Sequence, residues 1–323
     1  MRILRHYTNV EAAARGAAIA IGNFDGMHRG HAAVISEAGR FAHDAGAPWA
    51  VLTFEPHPRR YFQPAIAPFR LTPFRVKARR LADLGVDYMV NLRFDSRIAG
   101  MEAEDFVHDV LVAGLGVRHV VVGPGFKFGK GRRGNDALML RMAAEHGFGF
   151  TEVPAVRHGD AMCASTDIRD LIRRGHVDEA AARLGAPWEI EARVRPGAAR
   201  GEAMGFPTAN MAINRVLHPD PGIYAVRVGV SGRGGTVWHD GAAYIGARPT
   251  FAGDELLLEA HLFDFSGELY GQRLRVAFVE RVRPDQAFDG PESLIAQMTA
   301  DCRRARQILD AAGPILNSPA AVT

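Results

Sequence analysis

The sequence predicts a two-domain protein: an α/β half built on a parallel sheet, then a small antiparallel β-barrel ending in a helix. Three observations carry this reading. In the first half, short apolar runs of strand length alternate with helical patterns, the rhythm of βαβ units. From residue 189 onward the pattern changes to short alternating runs, EIEARV, GIYAVRVGV, ELLLEAHLFDF and RLRVAFVERV, separated by Gly, Pro and Asp turns, as in a small barrel. And 323 residues are enough to bury two cores. The expected division is residues 1–186, residues 187–313 and a disordered tail over 314–323.

Apolar residues make up 47 % of the chain and charged residues 23 %, with a net charge of +3. This balance gives no reason for a nucleic-acid or membrane partner, so the expected partners are small molecules. Lys77, Lys127 and Lys130 are the only lysines. Cys163 and Cys302, the only cysteines, lie far apart in the sequence, which excludes a disulfide framework and suits a reducing cytoplasm. No run reaches the ~18 apolar residues of a membrane span, and the first residues lack the apolar core of a signal peptide.

Residues 17–21 read as a buried strand, Gly22, Gly26 and Gly30 as a turn, and the following stretch as a helix with Ala33, Val34, Ala38 and Phe41 on one side. A strand, a glycine turn and a helix N-terminus together present unpaired N–H groups to an anion. His28 and His31 are three apart and would share a face of the first turn, where two imidazoles can donate to a phosphate as its charge grows. Zinc would need further ligands, and none stands at ligand spacing.

Residues 49–54 form a second strand, broken by Pro56 and Pro58, leaving Glu55, His57 and Arg59 at the edge where α/β sheets bind ligands. Residues 71–84 are helical and basic, with Arg75, Lys77, Arg79 and Arg80 expected on a solvated face. Strands at 87–92, 117–122 and 148–153 and a helix at 104–115 complete the half. The loop GPGFKFGKGRRGN at 123–135 joins glycines and bases suited to phosphate with Phe126 and Phe128, which can stack on a planar ring. Ser165 or Thr166 caps a helix carrying Arg169, and residues 175–185 form a short amphipathic helix.

In the second half, GFPTAN at 205–210 places a hydroxyl, Thr208, and an amide oxygen, Asn210, two residues apart. Alone it reads as a turn; as ligands, these hard oxygens suit Mg²⁺ beside nucleotide phosphates. Period-two alternation puts Leu256, Leu258, Ala260 and Leu262 in the barrel core. Glu259 and His261 then face the other way with Phe263 and Phe265, and Glu259 is a candidate base. A terminal helix is expected over 292–311.

GNFDGMHRGH resembles the G-x-F-D-G-x-H-x-G-H signature of the nucleotidyltransferase superfamily in the form used by bacterial FAD synthetases. TFEPHP, the 123–135 loop and STDIR resemble further segments of that family. GFPTAN, GIYAV, IGARPT, LEAHLFDF and LYGQRL resemble a bacterial riboflavin kinase domain in order and spacing. The resemblance implies a Rossmann-like nucleotidyltransferase domain and a riboflavin kinase-like barrel. It implies phosphorylation of riboflavin by ATP and adenylylation of the FMN product to FAD, with Mg²⁺. His28, His31, Arg169 and Glu259 would be catalytic. Gly22, Phe24, Asp25, Gly26, Ser165, Thr166, Gly205, Thr208 and Asn210 would bind nucleotide, with Thr208 and Asn210 on the metal. Phe54, Phe126, Phe128 and Arg248 would hold the flavin. The chain departs from the family pattern in several places: Gly125 replaces an Asp, Ala164 a Ser, Tyr244 an Asn, Glu202 an Arg and Met204 a Leu, and Ala192 to Arg200, ARVRPGAAR, lacks the usual glycine-rich hairpin start. Two other readings stay open: an FMN adenylyltransferase with an inactive kinase half, and a flavin- or nucleotide-binding regulator.

Overall fold

The computed structural model describes residues 1–314 except 160, 198–200, 202–203, 214–215, 233–234 and 251–252, without side chains for 158, 161–162, 247–250 and 253–255. The tail expected over 314–323 lies, from 315 on, outside the described residues. The chain divides into two compact units, Met1–Ala67 with Phe74–Ala164, and Pro68–Pro73 with the chain from Ser165.

Six strands build the first unit: β1 (Arg2–Leu4), β2 (Ala18–Ile21), β3 (Trp49–Glu55), β4 (Tyr88–Arg93), β5 (His119–Val122) and β6 (Gly149–Glu152). They form one sheet in the order β1-β4-β3-β2-β5-β6, and every pair is parallel. All four residues of β2 are buried, as a central parallel strand requires. The strand order runs outward from β2 through β3 in one direction and through β5 in the other. The crevice beyond the carboxyl end of β2 is therefore a topological switch point, where such sheets bind ligands. A short hairpin, β7 (Arg157–His158) with β8 (Ala161–Met162), follows the sheet.

The helices of this unit are α1 (Arg29–Ala45), α2 (Pro58–Phe62), α3 (Phe74–Asp83), α4 (Ser96–Gly100), α5 (Ala103–Asp105) and α6 (Asp136–His146). The helix expected over 104–115 is α-helical only in α5 and continues as a π-helical stretch, Phe106–Leu115. The wider turn still buries Phe106, Val107, Val110, Leu111 and Leu115. One expectation is corrected in α3. Its basic residues were expected on a solvated face, yet Lys77 is only 1 % exposed, because its amino group turns inward to bond the loop after β2.

The second unit begins with α7 (Ser165–Arg173) and α8 (Val177–Leu184). Its barrel comprises β9 (Trp188–Arg195), β10 (Ala209–Ala212), β11 (Gly222–Gly232), β12 (Gly235–Thr250), β13 (Gly253–Leu262) and β14 (Arg273–Pro284). They close in the order β10-β13-β12-β11-β14-β9, so no sheet edge is left unpaired. The PTAN segment enters a strand rather than a free turn, since Asn210 pairs both with Arg195 and with Glu259. Ile168, Ile172, Val177, Ala180 and Leu184 share one apolar cluster with Trp188, Leu258, Ala260 and Phe278. The apolar faces of α7 and α8 thus turn to the barrel, and the packing boundary at residue 164 precedes the sequence boundary at 186 by these two helices. The terminal helix, Pro291–Ala312, lies on the barrel's outside, where Ala305, Ile308 and Leu309 cover Ala225, Ala242 and Phe263. Phe265, expected on that outer face, packs instead against the interior cluster. The alternation stops because β13 ends at Leu262 and Asp264 takes a φ of 54°. Among the described residues, no helix is long and apolar enough to cross a membrane.

Candidate active sites

The loop after β2 starts at Gly22, whose N–H donates to the Leu52 carbonyl at 3.1 Å. A Cβ on Gly22 would stand 3.0 Å from the Phe24 ring, so the glycine makes room for that side chain. Phe24 and Met27 are non-glycine residues at φ 47° and 45°, conformations that persist only where surroundings hold them. Phe24 and Asp25 are buried. α1 then begins with His28 as its N-cap; His28 Nδ1 accepts from the His31 N–H at 3.3 Å. The two imidazoles stack at 3.7 Å between centroids with an 18° interplanar angle, and the Phe24 ring meets His31 edge-on at 5.4 Å. The histidine pair therefore stands at the N-terminus of the 17-residue α1, at the switch point, where the helix dipole favours an anion.

Phe54, Phe126 and Phe128 come together through Phe106. Phe54 lies 6.4 Å from Phe106, Phe106 5.8 Å from Phe128, and Phe128 stacks on Phe126 at 5.4 Å. Phe128 is buried and Phe126 half-buried, so Phe126 is the ring nearer solvent. Gly125 has φ 68°, and its N–H donates to Glu152 Oε1 at 3.1 Å, a bond from β6 that ties down the loop where the family has Asp. The sequence reading missed Phe62, which is 65 % exposed and packs edge-on against Tyr61 and Phe94. The aromatic pair Tyr61-Phe62, two arginines after EPHP, was its signal.

In the second unit, Ser165, Thr166 and Arg169 lie on the first turns of α7. Arg169 is buried, its Nε donating to the Phe69 carbonyl at 2.8 Å.

The barrel site is a row across three strands. Asn210 on β10 is the register partner of Glu259 on β13, and Glu259 is the partner of Tyr244 on β12. Thr208, Asn210, Tyr244, Glu259 and His261 line a cavity of about 460 Å³. Thr208 and Asn210 also line a second cavity of about 340 Å³, with Ser266, Glu268 and Tyr270. These two residues thus form the partition between the cavities. Gly205, at φ 85°, turns the chain into this segment. Asn210 Nδ2 donates to the Thr208 carbonyl at 3.1 Å, which leaves Oδ1 as the side chain's acceptor. Across the larger cavity the Tyr244 hydroxyl donates to Asp285 Oδ2 at 3.1 Å. Burial first, and then the Asp285 and Glu259 carboxylates, push that phenol up to about 12. Gly246 leaves room for the ring, since a Cβ there would collide with the Tyr244 hydroxyl. The terminal helix supplies Leu294, Met298, Asp301 and Cys302 to the same cavity, held by paired bonds from Arg283 Nε and Nη2 to Asp301 at 3.0 and 2.8 Å. The Arg248 side chain and Glu202 lie outside the described residues.

Among the described residues no cluster of three or more His, Cys, Asp or Glu side chains could hold a metal by itself. The neutral oxygens of Thr208 and Asn210 fit Mg²⁺ that keeps most of its ligands from phosphate and water.

The FAD synthetase family model matches residues 10–167, and the riboflavin kinase model matches residues 184–309. The bifunctional riboflavin kinase/FMN adenylyltransferase of Escherichia coli K12 is 37 % identical over 97 % of this chain and 100 % of its own length. That of Pseudomonas fluorescens is 38 % identical over 95 % and 98 %. A crystal structure from Streptococcus pneumoniae, described as a macrolide-efflux protein, superposes with a TM-score of 0.83 at 27 % identity, covering 94 % of this chain and 98 % of that one. Two matched domains in the order of their relatives, over nearly the full length of each, place the chain in the bifunctional riboflavin kinase/FMN adenylyltransferase family.

Proposed function

We propose that the chain makes FAD from riboflavin in two ATP-dependent steps, phosphorylation in the barrel and adenylylation at the loop after β2. The observation that carries the first assignment is the partition: Thr208 and Asn210 belong to two cavities at once. Riboflavin occupies the larger cavity, beside Glu259, and ATP the smaller, so that the phosphoryl group crosses at Thr208 and Asn210. The flavin's terminal hydroxyl is a poor nucleophile, and Glu259 accepts its proton as it attacks. Gly205 lets the backbone approach the nucleotide. Thr208 and Asn210 would hold Mg²⁺, which would supply neutralisation of phosphate charge; alignment does the rest.

Adenylyl transfer needs no base, because the nucleophile is the FMN phosphate, already ionised. It needs donors at the ATP α-phosphate and the leaving pyrophosphate. His28 and His31 supply them, with the backbone of Gly22, Phe24, Asp25 and Gly26 and the dipole of α1 behind them. Phe54, Phe126 and Phe128, with the exposed Phe62, are assigned as the apolar platform for the flavin. Two cysteines so far apart in the sequence suit a cytoplasmic enzyme.

The test is chromatography of the flavins formed from riboflavin and, separately, from FMN, each with ATP and Mg²⁺. FAD from both supports the full reading. FAD from FMN alone would leave an adenylyltransferase with a silent barrel, and no product from either would leave a binding protein.

A further inference from the structure

Lys77 is the one lysine of the chain that is buried, at 1 % exposure. An apolar side chain of similar length would fill its place without enclosing a polar head. Its amino group instead reaches the loop after β2, donating to the Asn23 carbonyl and to Thr53 Oγ1 at 3.1 Å. Thr53, itself fully buried on β3, donates to the same carbonyl at 3.3 Å. One turn further along α3, Arg80 Nη1 donates to the Gly26 carbonyl at 3.4 Å. A single face of α3 therefore grips the loop at both ends of NFDG.

The held carbonyl belongs to the peptide that leads into Phe24. Peptides are planar, so fixing this oxygen fixes the plane from which the φ of Phe24 is measured. That φ is 47°, in the left-handed region, for a bulky residue, and such a conformation persists only under constraint. The Phe24 ring is buried and meets the edge of His31, and His31 stacks on His28. A continuous chain of contacts runs from the amino group to the imidazole pair.

We infer that Lys77 is a positioning residue for adenylyl transfer: through the Asn23 carbonyl and Thr53 it sets the turn that holds Phe24 against His31. This rests on the assignment of His28 and His31 to that reaction. Lys77 touches no reacting atom, so its loss should misplace the donors without removing any.

The experiment measures FAD formation from FMN and FMN formation from riboflavin on the same purified full-length variants. For Lys77→Met, the kcat of FAD formation is expected to fall about 10²-fold, the effect of an ångström-scale misplacement. KM for ATP and FMN should stay within about threefold, since uniform binding is kept. Riboflavin phosphorylation, which does not involve this loop, should be unchanged, and an unaltered thermal unfolding profile shows that the first unit is folded. Thr53→Val should lower the same kcat about tenfold, and Thr53→Ser, which keeps the hydroxyl, should restore it. Lys77→Met with unchanged kcat, or with raised KM and intact kcat, would overturn the inference. If Lys77→Met lost both activities through misfolding, the Thr53 pair decides: Val and Ser variants alike would overturn it, and Ser rescue would uphold it. His28→Ala run alongside separates the two levels, because a variant that keeps FAD formation without His28 would sink the assignment of the histidines instead.

Discussion

The loop after β2 and the row on the barrel wall are both assigned here to ATP chemistry, but they are built in opposite ways. The first is a continuous decapeptide, residues 22–31, whose donors follow one another along the backbone. The second collects Asn210, Tyr244 and Glu259 from three strands that meet only when the barrel closes. The chemistry differs in the same sense. An ionised phosphate nucleophile asks only for donors, which a turn and a helix N-terminus provide. A flavin hydroxyl asks for a base set across from a phosphate, which needs two separate walls. A local site depends on what stiffens its loop from below. A distributed site depends on strand register.

The comparison is tested most strongly by removing the base. Glu259→Gln should lower FMN formation about 10³-fold, within the range for a lost general base, while FAD formation from supplied FMN persists; loss of both in a folded chain would end the division of labour. The mirror experiment, His28→Ala, should lower FAD formation about 10²-fold, as for a lost oxyanion donor, and spare FMN formation in the same flavin chromatogram. A smaller effect is expected at the partition. Chelation of Mg²⁺ should stop riboflavin phosphorylation, and Thr208→Val should raise the Mg²⁺ concentration needed for half-maximal rate about tenfold, as for the loss of one supporting ligand. An unchanged Mg²⁺ titration would remove Thr208 from the metal.

Weaker again is the effect at Tyr244. Its phenol is pushed up to about 12, so it stays protonated across the working range. The pH–rate profiles of wild type and Tyr244→Phe should therefore superimpose up to about pH 10, the ordinary tyrosine value. A break that vanished in the Phe variant would instead make the phenol a participant. The smallest effect is on stability in alkali. Tyr224, buried with its hydroxyl on the Asp220 carbonyl at 2.6 Å, is likewise raised to about 12, first by burial. Both phenols ionise near pH 10 when unfolded and hold their protons longer when folded. The folded state then binds more protons, and stability falls as pH rises from about 10 toward 12. Tyr224→Phe should flatten that decline, measured by denaturant unfolding at pH 9 and pH 11, conditions on either side of the ordinary value.

The local site was far more legible in the sequence than the distributed one. The strand, the glycines and the histidines of residues 17–31 stand in chain order, so their chemistry could be read residue by residue. In the barrel, alternation placed Leu258 and Ala260 inside and Glu259 outside, as found. That Glu259 faces Asn210 and Tyr244 depends on pairing between strands about fifteen and fifty residues apart, which no local pattern encodes. Lys77 was misread for a related reason. Its helix is rich in arginine, and composition alone could not show which basic side chain turns inward to a carbonyl 54 residues earlier. β1 was missed because three residues with an exposed edge carry almost no periodic signal.

The terminal helix gives the barrel a history in time. When synthesis has passed residue 290, every strand of the barrel has been made, but the wall formed by Leu294, Met298, Asp301 and Cys302 has not. The nascent chain can already hold the loop after β2 in shape, since Lys77 and Thr53 precede this point by some two hundred residues. The cavity proposed for riboflavin is finished last, when Arg283 finds Asp301 and Arg227 Nη2 donates to the Leu309 carbonyl at 2.9 Å. On the assignments proposed above, the reaction that comes second in the making of FAD is the first to have its machinery built.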